Sequence, residues 1–298
     1  MNYRVKNIIL TPMNLLYKLS PEANLKILYY LKTGRKLNLK KPKTYSEKLQ
    51  WMKLYYKNKL LPICADKYKV RQYVKKCGCQ NILTKLLWEG YHPEDIPFED
   101  LPQKFVIKVT HGSGFNIICK DKEQLNITKT VKQLNQWLKE KYIPCYGEWF
   151  YGVIKPRIII EEFLDDGYGC SPIDYKIYCF HGEPKYIIAH VDRFTHHRSN
   201  IYDKDWKTVK NITMKEIDSS LVVEKPKELM QLLEYASILS KDFIHVRIDF
   251  YVSDSKIYFG ELTFTSDAGF VTISPIEIEE MIGSWMGIPI KPISKTKT

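Results

Sequence analysis

Near the C-terminal end two short stretches carry charged side chains at spacings suited to handling a metal-bound phosphate. In Val246-Arg247-Ile248-Asp249-Phe250 apolar residues alternate with Arg247 and Asp249. In a strand, a period of two puts both polar side chains on one face. Glu261 and Thr263 repeat the device further on, with Leu262 and Phe264 facing the other way. An odd-numbered connection such as Asp254-Ser255-Lys256 sets Asp249 opposite Glu261 and Arg247 opposite Thr263. Directly opposed residues have Cβ atoms about 4.5–5.5 Å apart, and two carboxylates that close repel unless a cation lies with them. Mg²⁺ suits such a pair because it takes oxygen ligands, commonly one or two carboxylates with phosphate oxygens and water. The same residues also suit an exposed hairpin carrying a ladder of Arg–carboxylate ion pairs.

A second constellation is Lys108 with His111-Gly112-Ser113-Gly114. An ammonium on the strand before a glycine turn can reach phosphate while backbone N–H groups of the turn cover it, and glycine permits the close approach. Neither a GxxxxGK[ST] loop nor a GxGxxG fingerprint is present around it, so the turn is equally that of an ordinary hairpin, with His111 a turn residue.

The elements that must position these groups can be read from periodicity and punctuation. Residues 105–109 and 115–119 alternate as the two strands of a hairpin around the glycine turn, and 157–164 reads as a buried strand. Residues 174–180 and 185–191 form a second hairpin around His181-Gly182-Glu183-Pro184, and the last two strands are 245–252 and 257–264. Helices are predicted from Ser20-Pro21 to Gly34 and from a Thr44-x-x-Glu47 capping box through Tyr55, with others from Asp66 to Gly78, over 128–141, from near Pro226, and over 275–285.

Of the 298 residues, 44% are hydrophobic and 27% charged, the composition of a globular chain rather than a fibrous or disordered one. Residues 1–60 hold 14 Lys and Arg against Glu22 and Glu47, so this segment carries the whole of the +12 net charge. A basic surface of this kind docks something anionic, or is simply a solvated lysine-rich face. Seven cysteines include no CxxC pair, and an odd total argues for a reducing cytoplasm. The apolar run at Ile8-Ile9-Leu10 stops at Pro12 and is far too short to span a bilayer.

The order of these blocks resembles the ATP-grasp superfamily and, within it, the TupA-like family associated with teichuronopeptide and other surface-polysaccharide biosynthesis. The resemblance runs from about residue 41 to 270 and is carried by Lys41-Pro-Lys-Thr-Tyr-Ser-Glu-Lys-Leu-Gln-Trp51, Ala65-Asp-Lys-Tyr-Lys-Val-Arg71, the stretch from Phe105 through Gly114, Asp174-Tyr-Lys176 and Phe259-Gly-Glu-Leu-Thr-Phe264. It implies an α+β (mixed α/β) ATP-grasp fold in which two α+β lobes hold the nucleotide. The expected divisions are a basic helical segment over 1–62, a lobe with the glycine flap over 63–155, and a lobe with the hinge strand and metal site over 156–298.

The resemblance further implies that Lys67 and Lys108 contact phosphate beneath a flap formed by His111, Gly112, Ser113 and Gly114. Glu161, Glu162 and Leu164 belong to a hinge strand that reads adenine or ribose, and Asp174 and Lys176 face the nucleotide. Asp249 and Glu261 are the implied Mg²⁺ carboxylates, and Arg247, with Lys108 and Lys176, acts on the transferring phosphoryl group. Two departures stand out: Thr263 replaces the asparagine common after the second metal carboxylate, and Thr110 replaces an asparagine before the glycine turn. His190, Asp192 and Arg193 are candidates for the acceptor region. In isolation Lys67 and Arg71 also suit a solvated helix face, Asp66 a simple cap, and Lys176 an edge position.

The expected activity is an ATP- and Mg²⁺-dependent carboxylate–amine ligase, acting through an acyl phosphate and joining an amino acid or amine to a surface polysaccharide or its precursor. Expected partners are ATP, an anionic sugar, nucleotide sugar or lipid-linked glycan, and an amine. Nucleic acid is not among them, and peripheral association with the inner membrane face through the basic N-terminus is left open. The alternatives are a glycosyltransferase or sugar kinase of polysaccharide biosynthesis, and a noncatalytic module that binds polyanions.

Overall fold

The computed structural model describes residues 9–164, 172–192, 196–214 and 217–289. It opens with helices α1 (Thr11–Leu19), α2 (Pro21–Thr33) and α3 (Tyr45–Tyr55). Ser20 caps α2 by accepting from the Ala23 N–H, Pro21 takes the first helical position, and Gly34 ends the helix at φ 71°. Thr44 and Glu47 form the reciprocal capping box of α3 expected from their spacing.

After α3 the chain differs from the sequence expectation. A short helix, α4 (Leu60–Ala65), precedes a turn, and α5 (Val70–Lys76) begins later than Asp66. Asp66 instead caps the turn, its Oδ1 accepting from the N–H groups of Tyr68 and Lys69 at 3.0 and 2.8 Å. Periodicity could not separate the two helices because Leu61, Cys64, Val70, Tyr73 and Val74 all enter one apolar core.

The first sheet consists of β1 (Leu86–Gly90), β2 (Phe105–Val109), β3 (Asn116–Cys119) and β4 (Ile158–Glu162). Its strand order is β1-β4-β2-β3. Helix α6 (Ile127–Leu138) covers it, with Leu134 buried against Phe105, Ile107 and Ile160. Thus β4, which the sequence division groups with the C-terminal lobe, is hydrogen bonded between β1 and β2.

The second sheet, in order β7-β6-β5-β8-β9, comprises β5 (Asp174–Phe180), β6 (Glu183–Val191), β7 (Arg198–Asp203), β8 (His245–Ser253) and β9 (Lys256–Thr263). One face packs on α7 (Leu229–Ser240), α4 and α5 through Ile177, Cys179, Ile187 and Ile248. The other carries Tyr178, Phe180, Tyr186 and Ile188 against α2, α3 and α8 (Ile276–Ser284). Burial on both faces explains why all seven residues of β5 are inaccessible. The basic N-terminal helices therefore form one wall of this core. Helix α8 locks them there: Glu279, fully buried, accepts from both terminal nitrogens of Arg35 and from the Ser46 N–H and hydroxyl.

Both tight hairpins use two-residue loops. His181 and Gly182 connect β5 to β6, and Asp254 and Ser255 connect β8 to β9, all four at positive φ as mirror-image hairpin turns require. Among the described residues no helix is long and apolar enough to cross a membrane, and no two cysteines are joined.

Candidate active site

The register between β8 and β9 is the expected one, reached by another route. Asp249 lies opposite Glu261 and Arg247 opposite Thr263. The connection has two residues rather than an odd number, which pairs Phe250 with Phe259. A bulge at Gly260 then restores the register toward the site. A Cβ on Gly260 would lie 2.9 Å from the Asp249 carbonyl oxygen, so the bulge needs glycine.

Arg247 organises this surface. Its Nε and Nη2 donate to the two oxygens of Asp249 at 2.6 and 2.7 Å, and Nη2 also reaches Glu261 Oε1 at 3.2 Å and Thr263 Oγ1 at 3.0 Å. From β5, Lys176 donates to Asp249 Oδ2 at 2.5 Å and pairs with Asp174 at 2.8 Å. Burial alone would raise the Asp249 carboxyl, but Arg247 and Lys176 outweigh it and hold the group well below the usual carboxylate range. The cation that the close carboxylates require is thus supplied by the guanidinium. Asp249 is buried, whereas the Glu261 side chain is 42% exposed.

The first sheet supplies the opposite wall. Lys108 on β2 pairs with Glu161 on β4 at 2.7 Å, and Arg71 pairs with the other Glu161 oxygen at 2.9 Å. Glu161 is therefore the inward-facing member of the adjacent acidic pair, while Glu162 accepts from the Lys85 N–H at 2.8 Å. Lys67 donates to the Gly112 carbonyl at 2.7 Å, tying its ammonium to the glycine turn. Burial lowers the pKa of Lys67; Glu261 opposes the shift and Lys108 reinforces it. One lysine is thus within electrostatic reach of both lobes.

Thr110 holds this wall together. Its carbonyl accepts from the Lys67 N–H and its hydroxyl from the Arg157 N–H, each at 3.2 Å. Gly112 and Gly114 adopt φ of 78° and 80°, and Ser113 is exposed at the tip. At His111, Nε2 lies 2.8 Å from the Glu140 carbonyl, and the ring contacts Phe115, which stacks on Trp137. It braces the base of the flap.

Leu164 is half-buried just beyond β4. On β6, His190 lies directly opposite Asp174, and its Nδ1 is 2.8 Å from His197 Nε2 with the rings nearly coplanar. Asp192 is exposed near Arg198, and Arg193 lies outside the described residues. The structure brings together Asp174, Lys176, Arg247, Asp249, Glu261 and Thr263 on one wall, and Lys67, Lys108 and Glu161 on the other.

Four further residues adjoin the site, of which only Arg71 lies in a motif. Arg71 is the second cation on Glu161. Ser266 accepts from Arg247 Nη1 at 3.3 Å. Glu148 accepts from the Thr265 hydroxyl. Tyr151 is kept protonated chiefly by burial, with Glu148, Glu261 and Asp249 adding to the effect against Arg247. For the other three the only available signal was the aromatic run Trp149-Phe150-Tyr151 before β4.

Among the described residues no cluster of three His, Cys, Asp or Glu side chains is arranged as a resident metal centre. Glu261 and Thr263, with Asp249 released in part from Arg247 and Lys176, are the oxygen donors that would hold an Mg²⁺ arriving with phosphate.

The candidate site thus joins a five-stranded antiparallel sheet with charged strand ends to a four-stranded sheet that carries a glycine turn and lysines. The sequence model described as TupA-like ATPgrasp matches residues 47–286, and the chain belongs to this family. Solved structures similar to it include the D-alanine–D-alanine ligase of Bacillus anthracis complexed with ATP. That structure is 18% identical with a TM-score of 0.43, over 68% of this chain and 55% of that one. The L-amino acid ligase of Bacillus licheniformis is 13% identical with a TM-score of 0.45, over 76% and 49%. The ATP-grasp ligase PsnB complexed with minimal precursor, Mg and ADP is 13% identical with a TM-score of 0.40, over 74% and 58%. The chain thus spans about half the length of these structures. No curated protein matches the chain.

Proposed function

We propose that the protein is an ATP-dependent carboxylate–amine ligase that holds the triphosphate between Lys67 and Lys108 on one lobe and Arg247, Asp249 and Glu261 on the other. The observation that carries this is the Lys67 ammonium held on the glycine turn at 2.7 Å, with Lys108 paired to Glu161 on the same sheet and Arg247 bridging Asp249 and Glu261 on the other. Membership of an ATP-grasp family supports the nucleotide assignment.

Amide formation from a free carboxylate is uphill, and phosphorylation supplies the driving force. A carboxylate oxygen attacks the γ-phosphorus as the bond to ADP breaks. The amine nitrogen then attacks the acyl carbon, and phosphate leaves with its electron pair as the nitrogen loses a proton. No protein nucleophile is needed. Lys67 and Lys108 position the phosphates and offset charge spreading over the transferring oxygens, to which Arg247 also contributes. Triphosphate entering next to Glu161 offers Lys108 a second anionic partner. Asp249 and Glu261 are the groups that would hold Mg²⁺, which supplies further charge neutralisation between the phosphates. Glu161, Glu162 and Leu164 lie where β4 leaves the first sheet, beside the proposed nucleotide.

For substrates, the resemblance to proteins of surface-polysaccharide biosynthesis supports a uronic acid or other acidic glycan as carboxylate and an amino acid as amine, with the lipid-linked or nucleotide-linked glycan entering near His190, Asp192 and Arg193. The test is ADP release from ATP and Mg²⁺ across panels of uronic acids, amino acids and nucleotide sugars, with mass spectrometry of the product. An amide formed with one ADP per bond is expected. A stable phosphoester, or nucleotide freed from a sugar donor without ATP, would replace the ligase with a kinase or a glycosyltransferase.

A further inference from the structure

Helices α1 and α2 share one anchor on the body of the protein, the short segment around Cys145. Asn14 on α1 accepts from the Cys145 N–H at 2.9 Å, and Asn24 on α2 donates to the Cys145 carbonyl at 2.6 Å. Leu28 of α2 buries with Ile143 and Cys145, and Met13 and Tyr17 of α1 pack on the same cluster. Helix α2 also packs Leu25 and Tyr29 into the core of the second sheet, which leaves the opposite faces of both helices toward solvent.

Those outer faces are not polar. Ile9, Leu15, Leu19, Ile27, Tyr30 and Leu31 are all exposed, Leu19 at 84% and Leu31 at 69%, and among the described residues they are nearly half of the large apolar side chains left in water. A solvated lysine-rich face does not call for such side chains. Exposed Lys18, Lys26 and Lys32 lie among them, with exposed Lys36, Lys40, Lys41 and Lys43 following α2. Glu22 is the one carboxylate on the two helices, and it receives the Tyr55 hydroxyl and faces Lys26.

We propose that the outer faces of α1 and α2 form a docking surface for an anionic lipid bilayer, with Leu15, Leu19, Ile27 and Leu31 entering the headgroup boundary while the lysines meet lipid phosphates. Apolar side chains ringed by lysine match an interfacial helix lying in the membrane plane. A nucleic acid or soluble polyanion would use the lysines and gain nothing from Leu19 or Leu31. A symmetric dimer through this face would set the same lysines against each other. The proposal extends the lipid-linked acceptor named above by giving the enzyme a reason to sit at the leaflet. It is read by binding alone, so it stands or fails separately from the ligase assignment.

The test is flotation of the full chain with vesicles of phosphatidylcholine alone and of phosphatidylcholine mixed with phosphatidylglycerol, at low and high salt. Binding to the mixed vesicles that weakens with salt is expected, with little binding to the neutral ones. The pair Leu19→Ser and Leu31→Ser, and separately the pair Lys18→Gln and Lys32→Gln, should each weaken vesicle binding by about tenfold, with thermal unfolding and ADP release from soluble substrates unchanged. Absence of vesicle binding at low salt would overturn the proposal, as would binding unaffected by the leucine pair, which marks a general polyanion site. Concentration-dependent dimers in light scattering that the leucine pair abolishes would assign the face to a second copy instead.

Discussion

The Arg247 guanidinium grips both carboxylate oxygens of Asp249, its neighbour two positions along the same strand, at 2.6 and 2.7 Å while Lys176 holds one of them from the adjacent strand. Arg247 and Lys176 are shared among Asp249, Asp174 and Glu261, so two cations face three carboxylates and this wall is locally acidic. The arrangement suits a polyphosphate that arrives together with a divalent cation.

This ion cluster has a signature in acid. The Asp249 carboxyl is depressed in the folded protein, so its contribution to stability is complete above the unfolded carboxylate value of about 3.9 and is lost as pH falls through the depressed one. Asp249→Asn should unfold at lower denaturant concentration than wild type near neutral pH, by about 1–3 kcal/mol, because Arg247 and Lys176 each lose one charged partner and keep Glu261 and Asp174. The gap should narrow below about pH 4. A gap independent of pH in denaturant titrations would place the carboxylate outside the ion cluster.

His245 predicts the next step up the pH scale. It is fully buried between the Tyr45 hydroxyl at 2.8 Å and the Cys179 carbonyl at 2.9 Å, and burial lowers its pKa to about 4. A histidine that must stay neutral when folded gives stability that is full above its unfolded pKa near 6.5 and drains away as pH falls toward 4, about 3 kcal/mol at most. The stability of His245→Asn should vary less than that of wild type over this window, measured by chemical denaturation at a series of pH values.

The Gly260 bulge should be intolerant. A Cβ there meets the Asp249 carbonyl at 2.9 Å and the Tyr251 ring at 3.0 Å, so Gly260→Ala must shift β9 or abandon the bulge. A loss of about 1–3 kcal/mol is expected from overpacking. Activity should fall further than stability does, because Glu261 is the next residue; thermal unfolding and ADP release on the same preparation separate the two effects.

Behind Arg247, Asp267, Ala268 and Gly269 form a left-handed turn at φ of 49°, 52° and 75°. Lys53 is buried beneath it, donating to the Ala268 carbonyl at 2.6 Å and the Tyr146 carbonyl at 2.7 Å, while Gln50 donates to the Gly269 carbonyl at 2.6 Å. Burial drives the Lys53 pKa down to about 7, opposed by Glu148. Strain of this kind persists only where its surroundings enforce it. Lys53→Met should release the turn that carries Ser266 and lower turnover by about tenfold, with Lys53→Arg recovering part of it. Unchanged kinetics in Lys53→Met would show the turn to be unconnected with Arg247.

Much of the site lay open in the sequence because strand alternation is local. Spacing put Arg247 with Asp249, and Glu261 with Thr263, on one face each; joining the pairs rested on an odd-numbered loop, and the two-residue turn reaches that register only through the bulge. The capping boundaries of α2 and α3 followed from Ser20, Gly34 and the Thr44–Glu47 pair. What stayed hidden depends on distant parts of the chain. The Gly260 bulge is invisible until the turn at Asp254 and Ser255 is known to be one residue shorter. Arg71 meets Glu161, and Lys53 meets Ala268, only once the sheets are assembled. Asp66 resembled a helix cap because the same side-chain geometry caps a turn.

The most direct test of a triphosphate gripped between the lobes is Mg²⁺-dependent ADP release by Asp249→Asn and Glu261→Gln, with fold checked by circular dichroism and nucleotide binding by calorimetry. Folded proteins whose turnover falls at least a hundredfold, alongside a Lys108→Ala variant that chiefly loses nucleotide affinity, are the predicted result. Near-normal turnover in both carboxylate variants would contradict it.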